Sequence, residues 1–123
     1  MVSQISLSDD SSYIILEVTG EITRESIMPH NIKAHELGRE KGIKKYLVDC
    51  TNARNVESVL NNYQFAYHDV KHTDGFDTTA IVAAVVAQDD HSHDFIETAA
   101  RNNGLNFTIF RDKQKAIEFL KSK

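Results

Sequence analysis

The most informative stretch of this chain is an apolar run closed by two aspartates, Ile81-Val82-Ala83-Ala84-Val85-Val86-Ala87-Gln88-Asp89-Asp90. Two shorter runs have the same form: Tyr46-Leu47-Val48 precedes Asp49, and Phe107-Thr108-Ile109-Phe110 precedes Arg111-Asp112. An unbroken apolar run is typical of a strand buried on both faces of a parallel sheet between helices. We therefore predict an α/β fold in which these aspartates lie at the carboxyl ends of the strands, where such sheets bind ligands.

The bulk properties of the chain narrow its class. Its 123 residues predict a single domain over residues 1–123 with a sizeable core. The net charge is −4, and scattered Lys and Arg residues form no basic stripe, so nucleic acid is not an expected partner. The single cysteine, Cys50, suits a reducing compartment, and Met1-Val2-Ser3-Gln4 lacks the features of a secretory signal. We expect a cytoplasmic protein.

The residue patterns predict the element order β-β-α-β-α-β-α-β-α. Strands over residues 4–8 and 13–19 flank a polar turn and form a hairpin. A short turn over residues 23–27 is expected before the first helix, which would begin near Met28 or Pro29, because proline disrupts a helix interior. The other predicted elements are strands at 45–50, 78–87 and 107–110, and helices at 58–71, 94–103 and around 116–120.

Two segments carry a family resemblance. Tyr13-Ile14-Ile15-Leu16-Glu17-Val18-Thr19-Gly20-Glu21-Ile22-Thr23 resembles the strand-Gly-Glu-Leu-Asp opening of STAS domains, the fold of the anti-sigma-factor antagonist SpoIIAA. The closing Phe110-Arg111-Asp112 and Ala116-Ile117-Glu118-Phe119-Leu120 are similar to the tail of the SpoIIAA-like subgroup, a largely uncharacterised bacterial set also compared with Sec14/CRAL-TRIO domains. The resemblance implies a mixed, mainly parallel five-stranded sheet with an N-terminal hairpin and about four helices mainly on one face.

The antagonists of this family carry a phosphorylated serine in an Asp-Ser-Ser-Gly stretch, and the matching stretch here is Glu57-Ser58-Val59-Leu60. Ser58 and an acidic neighbour remain, whereas the second serine and the glycine are absent. A phosphate on Ser58 would be favoured by the free N–H groups at a helix N-terminus, which makes Ser58 a regulatory candidate. The alternative is that Ser58 is only a helix N-cap.

The strand-end aspartates and the histidines could form a polar or metal site. A cation or a polar ligand could be held by the strand-end aspartates Asp49, Asp89, Asp90 and Asp112 together with Thr51, His91 and His93. Aspartates in such places also serve as turn residues and helix caps. His68 and His72 lie four residues apart on one helical face, yet no glutamate follows His68 in the HExxH manner. We predict no dedicated metal site and no cofactor.

The helix over residues 58–71 has an apolar stripe of Val59, Tyr63, Ala66, Tyr67 and Val70, which predicts a core-facing side centred on Tyr63. Phe65 would then project to the opposite side, with Phe76 following in the loop. Exposed aromatics there could form a lid, a homodimer contact or a peripheral membrane contact.

Two functions from different classes follow, together with a weaker third. The leading interpretation is a non-enzymatic regulatory or ligand-binding module that acts on a protein partner through the helix and loops at residues 51–76. The alternative is capture of an apolar ligand or lipid beneath that helix, with Tyr63, Phe65, Tyr67 and Phe76 as lining or gate. A small enzyme that uses the strand-end aspartates is the least favoured, because no pair of nucleophile and base is evident.

Overall fold

The computed structural model describes all 123 residues and contains one five-stranded sheet with the spatial order β1-β2-β3-β4-β5. β1 is antiparallel to β2, and every other neighbouring pair is parallel. The strands are β1 (Val2–Leu7), β2 (Ile14–Ile22), β3 (Lys45–Asn55), β4 (Ile81–Val86) and β5 (Asn106–Phe110). This architecture confirms the predicted mixed, mainly parallel sheet with an N-terminal hairpin.

Four helices cover the sheet. They are α1 (Arg24–Lys41), α2, α3 (Asp94–Asn102) and α4 (Lys113–Lys121), where α2 runs continuously through Val59–Gln64, a π-helical turn at Phe65–Asp69 and a last turn at Val70–His72. No helix is both long and apolar enough to cross a membrane.

Side chains alternate between the two faces of the sheet, as the pleat of a strand requires. In β3, Tyr46 and Cys50 belong to the core beneath α1, whereas Leu47 packs with Ala116 and Leu120 of α4 on the opposite face. Residues of α2 and α3 pack together on the α1 side, against the end of the sheet at β5. Three helices therefore share one face and α4 covers the other, as predicted.

The first helix differs from its prediction. It begins at Arg24 and continues through Pro29 without a break, and Thr23 and Ser26 form a reciprocal capping box at its start. Proline at position 29 removes one hydrogen bond to the Glu25 carbonyl. Both residues are exposed, so water can satisfy that carbonyl, and the strong cap fixes the beginning of the helix four or five residues earlier than expected.

Strand β3 is longer than predicted, and this changes the position of Asp49. A register shift between Glu17 and Thr19 of β2 lets β3 continue to Asn55. β4 pairs with β3 only as far as Cys50, so the last five residues of β3 follow β2 alone. Asp49 consequently lies within the strand, and β3 and β4 separate beyond Cys50.

Candidate ligand-binding site

A cavity of about 160 Å³ lies between the sheet and the three helices on the α1 side. Its floor includes Leu16, Val48 and Val82 from neighbouring strands, and its roof includes Phe65 and Val70 of α2. Protein interiors rarely contain voids much larger than a water molecule. A cavity of this size in a small domain is therefore a marked departure from close packing.

Small side chains explain why the core leaves this space open. Ala34 of α1, Ala66 of α2, Ala80 before β4 and Ala100 of α3 all line the cavity and are all buried. A leucine or isoleucine at any of these positions would extend into the space. The sequence thus places small side chains around the middle of this face, where larger ones would fill the space.

The roof helix α2 contains the only π-helical turn of the molecule, Phe65–Asp69. Such turns are rare and are frequently found at functional sites. Here the turn places Phe65 and Ala66 on the cavity side, and the Phe65 ring meets the Phe76 ring edge-on with centroids 6.3 Å apart. Phe65 and Phe76 therefore join α2 to the loop after it at one edge of the cavity.

An ion pair fastens α2 to α1. The Arg24 guanidinium contacts both carboxylate oxygens of Asp69, with Nε–Oδ2 and Nη2–Oδ1 distances of 2.6 and 2.8 Å. The hydrogen bond from Arg24 keeps the pKa of Asp69 below its usual value. The backbone N–H of Arg24 also donates to Glu57, whose other carboxylate oxygen accepts from the Ser58 N–H. Both the segment before α2 and the π-helical turn within it are thus held at the first residue of α1.

One end of the cavity is polar and lies at the carboxyl end of β3. Asn55, the last residue of that strand, donates from Nδ2 to Asn62 Oδ1 at 2.9 Å, and its backbone N–H donates to Ser92. The next residue, His93, places Nε2 3.2 Å from the Ala53 carbonyl oxygen. Asn62 and His93 are both buried and both line the cavity. Asn55 therefore connects α2 to the loop before α3 at this end.

A second polar group lies beneath α1. The His35 ring stacks on Tyr46 with centroids 4.7 Å apart, and its Nδ1 accepts from the Asp77 N–H at 2.9 Å. Burial lowers the pKa of His35, so the ring is held in its neutral form with the proton on Nε2. Burial also raises the pKa of Tyr46. This stack fixes the loop before β4 against α1.

The prediction for the aromatic residues of α2 was wrong in its orientation. Phe65 faces the cavity, whereas Tyr63 is 45% exposed and stacks on Tyr67 outside it, with ring centroids 4.3 Å apart. The core-facing side of α2 is centred on Asn62, Ala66 and Asp69. Buried polar residues that have partners are invisible to a count of apolar positions, so the predicted stripe was rotated. Of the proposed lining residues, Phe65 and Phe76 line the cavity, and Tyr63 and Tyr67 do not.

The outward side of α2 leaves large apolar residues in solvent. At about 100° per residue, Val59, Leu60 and Tyr63 fall within about 100° of the helix circumference, whereas Tyr67 beside them is half-buried against Ala66, Ile96 and Ala99. Val59 and Leu60 are each 66% exposed. The predicted homodimer and peripheral membrane contacts stay predictions, and this stripe is the place where either would form.

The strand-end aspartates do not converge. Asp49 lies on the α4 face, away from the cavity, where it accepts from Thr51 Oγ1 at 2.6 Å and lies 3.4 Å from Lys113 Nζ. Burial acts to raise the pKa of Asp49, but the Thr51 hydrogen bonds and the Lys113 charge outweigh it and keep the pKa low. Asp89 is exposed. The structure brings Asp49 and Thr51 together through that hydrogen bond, whereas Asp89 makes no hydrogen bond or ion pair with either, so ligand binding by the three stays a prediction.

Asp90 and Asp112 have different local roles. Asp112 caps α4 by accepting from the Gln114 and Lys115 N–H groups, as one of the alternatives predicted. Asp90 is buried and accepts from the Ser92 N–H at 2.9 Å, while Arg54 Nη2 and His93 Nε2 lie 3.6 and 3.4 Å from its carboxylate oxygens. Asp90 thus shapes the loop that carries His93.

Ser58 caps α2 by accepting from the Asn61 N–H at 3.1 Å. Its exposed position leaves the hydroxyl accessible, and its phosphorylation stays a prediction. His68 and His72 are exposed with ring centroids 4.7 Å apart, and no group of three His, Cys, Asp or Glu residues could hold a metal ion. Burial raises the pKa of Cys50 to about 12, so this thiol stays protonated and unreactive.

Comparisons with known proteins bear on the fold. Over 97% of this chain and 92% of its counterpart, the structure is similar to the crystal structure of an uncharacterised protein of the DUF3478 family with a SpoIIAA-like fold from Shewanella loihica PV-4. The TM-score is 0.52 and the sequence identity is 20%. This chain has a SpoIIAA-like fold. The predicted resemblance is confirmed at that level, which is a statement about architecture.

No family model and no curated protein matches the sequence. The SpoIIAA-like fold therefore supplies the framework, and the function has to be argued from the site. The sequence patterns did not point to four residues at or beside the cavity, Arg24, Asn55, Asn62 and Asp69, whereas His93 had been a candidate polar ligand. One signal could have found two of them, since Asn62 and Asp69 interrupt the i, i+4, i+7, i+8 pattern completed by Ala66 and Val70.

Proposed function

We propose that this SpoIIAA-like module binds a small apolar molecule in the cavity beneath α2 and acts by binding, without catalysis. The observation that carries the proposal is the cavity itself, about 160 Å³ in volume and lined mainly by apolar side chains. An engineered apolar cavity of about 150 Å³ in another protein stays dry and binds benzene. A ligand of roughly one aromatic ring with one or two substituents fits a cavity of this size.

The roof of the cavity offers a route of entry. α2 is anchored by the Arg24–Asp69 ion pair and by the Phe65–Phe76 contact, and both lie at its edges. Arg24 keeps a third of its side-chain surface in solvent, so this ion pair can break at modest cost. Rotation of the two phenylalanine rings together with release of the ion pair would open the α1 edge of the cavity, while the Asn55–Asn62 and Asn103–Ala66 hydrogen bonds keep α2 attached at its other side.

A regulatory role would follow from the two sides of α2. Its inner side covers the cavity, and its outer side presents Val59, Leu60 and Tyr63 to solvent. A ligand that displaces the inner side must also move the outer one, because a helix transmits such a shift as a rigid element. The bound and free forms would then present different surfaces to a protein partner.

The chemistry of the cavity favours binding over catalysis. Cys50 is the candidate nucleophile on its wall, and the pKa of this thiol is raised to about 12 by burial and by the charges of Asp49 and Asp90. A thiol that remains protonated at neutral pH is a poor nucleophile. The cavity therefore lacks the activated group that a covalent mechanism would need.

Titration of the protein with p-xylene, toluene and benzene by isothermal calorimetry tests the proposal. We expect saturable 1:1 binding that disappears in Ala66→Leu, because the added side chain would occupy the cavity. Gln64→Leu is the matched control: it adds a leucine to the same helix, at a position that does not line the cavity. Absence of binding by all three probes, or unchanged binding in folded Ala66→Leu, would contradict the proposal.

A further inference from the structure

We propose that the ligand of this cavity carries a hydroxyl group, as a small phenol does, and that Asn62 and His93 bind that hydroxyl at the polar end. The inference rests on the proposed function and specifies the ligand class. Asn62 and His93 are only 8% and 5% exposed, and both line the cavity. One polar atom of each side chain, Nδ2 of Asn62 and Nδ1 of His93, has no hydrogen-bond partner in the protein.

The orientation of the Asn62 amide follows from its neighbours. Asn55 Oδ1 accepts from the Glu57 N–H at 2.9 Å, so the other end of the Asn55 side chain is the donor that reaches Asn62. Asn62 Oδ1 accepts that bond at 2.9 Å, which leaves the two N–H groups of Asn62 Nδ2 without an acceptor in the protein. Asn62 therefore offers a hydrogen-bond donor.

The tautomer of His93 follows in the same way. Its Nε2 lies 3.2 Å from the Ala53 carbonyl oxygen and 3.4 Å from Asp90 Oδ2. Both neighbours are acceptors, so Nε2 carries the proton. In the neutral ring Nδ1 is then an acceptor, and no donor of the protein reaches it. His93 therefore offers a hydrogen-bond acceptor, whereas Asn62 offers a donor.

The accessibility of these two atoms supports their assignment to a ligand. Every fully buried side-chain nitrogen or oxygen of the protein has a hydrogen-bond partner. Asn62 Nδ2 and His93 Nδ1 have none, so each must retain accessible surface. Since Asn55 links the segments that carry them, both belong to the same end of the cavity.

A hydroxyl matches this pair better than other head groups. It donates one hydrogen bond, to His93 Nδ1, and accepts one, from Asn62 Nδ2. A carboxylate would add a negative charge near the buried Asp90, and an ammonium group would leave the Asn62 donor without an acceptor. The remaining apolar space then holds the ring.

Comparing the affinities of ligands that differ in one substituent tests this inference separately from the proposed function. The probes differ in one substituent on a toluene ring: p-cresol and p-xylene have nearly the same shape, and p-toluate carries a larger, charged carboxylate. We expect p-cresol to bind the wild-type protein about tenfold or more tightly than p-xylene, because p-xylene leaves two buried polar groups unpaired. In ¹⁵N-edited NMR spectra, p-cresol should shift the His93 Nδ1 resonance and p-xylene should shift it much less.

Two variants locate the effect. In His93→Gln, the side-chain amide can keep the hydrogen bond to the Ala53 carbonyl while the Nδ1 acceptor is lost, so the preference for p-cresol should fall severalfold and p-xylene should still bind. Asn62→Leu removes the donor and should have the same effect. p-Xylene affinity and thermal unfolding report whether each variant keeps its cavity.

The outcomes are distinct. Equal affinities of p-cresol and p-xylene in the wild type, or tighter binding of p-toluate, would overturn the hydroxyl assignment and leave the apolar cavity as proposed. An undiminished p-cresol preference in both folded variants would also overturn it. Failure of every probe to bind would overturn the proposed function and this inference together.

Discussion

The two faces of the sheet share the same strands but differ in how completely side chains fill the space between sheet and helices. On the α4 face, Leu47, Ala83, Ala116 and Leu120 are completely buried and fill the space between helix and sheet. On the opposite face, three helices leave a cavity of about 160 Å³. One helix thus packs more completely than three. The difference indicates that the α4 face mainly contributes stability, whereas the opposite face is packed less closely and contains the cavity.

Substitution of alanine by leucine should affect the two faces in opposite ways, and this is the largest effect we expect. Ala83→Leu adds three carbons to a filled layer, so the free energy of unfolding should fall by about 1–3 kcal/mol or more. Ala66→Leu places the same carbons in the cavity and should leave the free energy of unfolding unchanged or raise it. Urea denaturation measures both. A similar loss in both variants would mean that the α2 side is as tightly filled as the α4 side.

The next largest difference between the faces should come from the ion pair that holds α2 against α1. Asp69→Asn removes one partner of the Arg24 ion pair, so α2 should open more often and its amides should exchange hydrogen a few-fold faster than in the wild type. Association of p-xylene should also become faster.

Lys121→Gln is the control for that experiment. It removes the Lys121–Asp10 contact, an exposed pair with an Nζ–Oδ2 distance of 3.5 Å on the α4 face. Exposed pairs contribute little, so amide exchange in α2 should stay as in the wild type. If Asp69→Asn also leaves α2 exchange unchanged, the ion pair does not hold the roof.

A smaller, pH-dependent difference should come from His35. Its pKa is lowered in the folded protein by burial, so below the usual value of 6.5 the unfolded chain binds a proton that the folded chain does not. The stability contributed by neutral His35 is therefore complete above pH 6.5 and is lost as the pH falls below it.

Urea denaturation at pH 7.5 and pH 5.5 measures this effect. His35→Asn can keep an acceptor for the Asp77 N–H without a titrating ring, so its stability should depend less on pH than that of the wild type over this interval. Equal pH dependence in the two proteins would assign the effect to another histidine. Below about pH 4 all variants should lose stability together, because the pKa values of Asp49, Asp69, Asp77 and Asp90 are lowered.

The sequence predicted the fold well because its strongest signals are local. The apolar run from Ile81 produced β4, Gly42 ended α1 in a left-handed conformation, and Ser58 began α2. Pro29 led to a wrong predicted start for α1. A capping box at Thr23 sets the start instead, and water can donate to the carbonyl that Pro29 leaves without a hydrogen bond. The rule that proline destabilises a helix interior describes an average cost, and here the stabilisation by the N-terminal cap exceeded that cost.

The site was harder to predict because it depends on partners distant in sequence. Asp69 is buried only because Arg24, 45 residues away, neutralises it, and Asn62 is buried next to Asn55. Neither pairing has a periodic signature, so the inward side of α2 was assigned to Tyr63 in place of Asn62. Of the four aromatic residues predicted as lining or gate, Phe65 and Phe76 line the cavity, although Phe65 had been assigned outward, and their contact with a ligand stays a prediction.

Xenon-pressurised crystals would test the difference between the two faces in one experiment, because xenon enters dry apolar cavities of this size. We predict a strong anomalous peak beneath α2, among Val48, Phe65 and Val82, and no peak between the sheet and α4. A peak on the α4 face, or none beneath α2, would contradict the account.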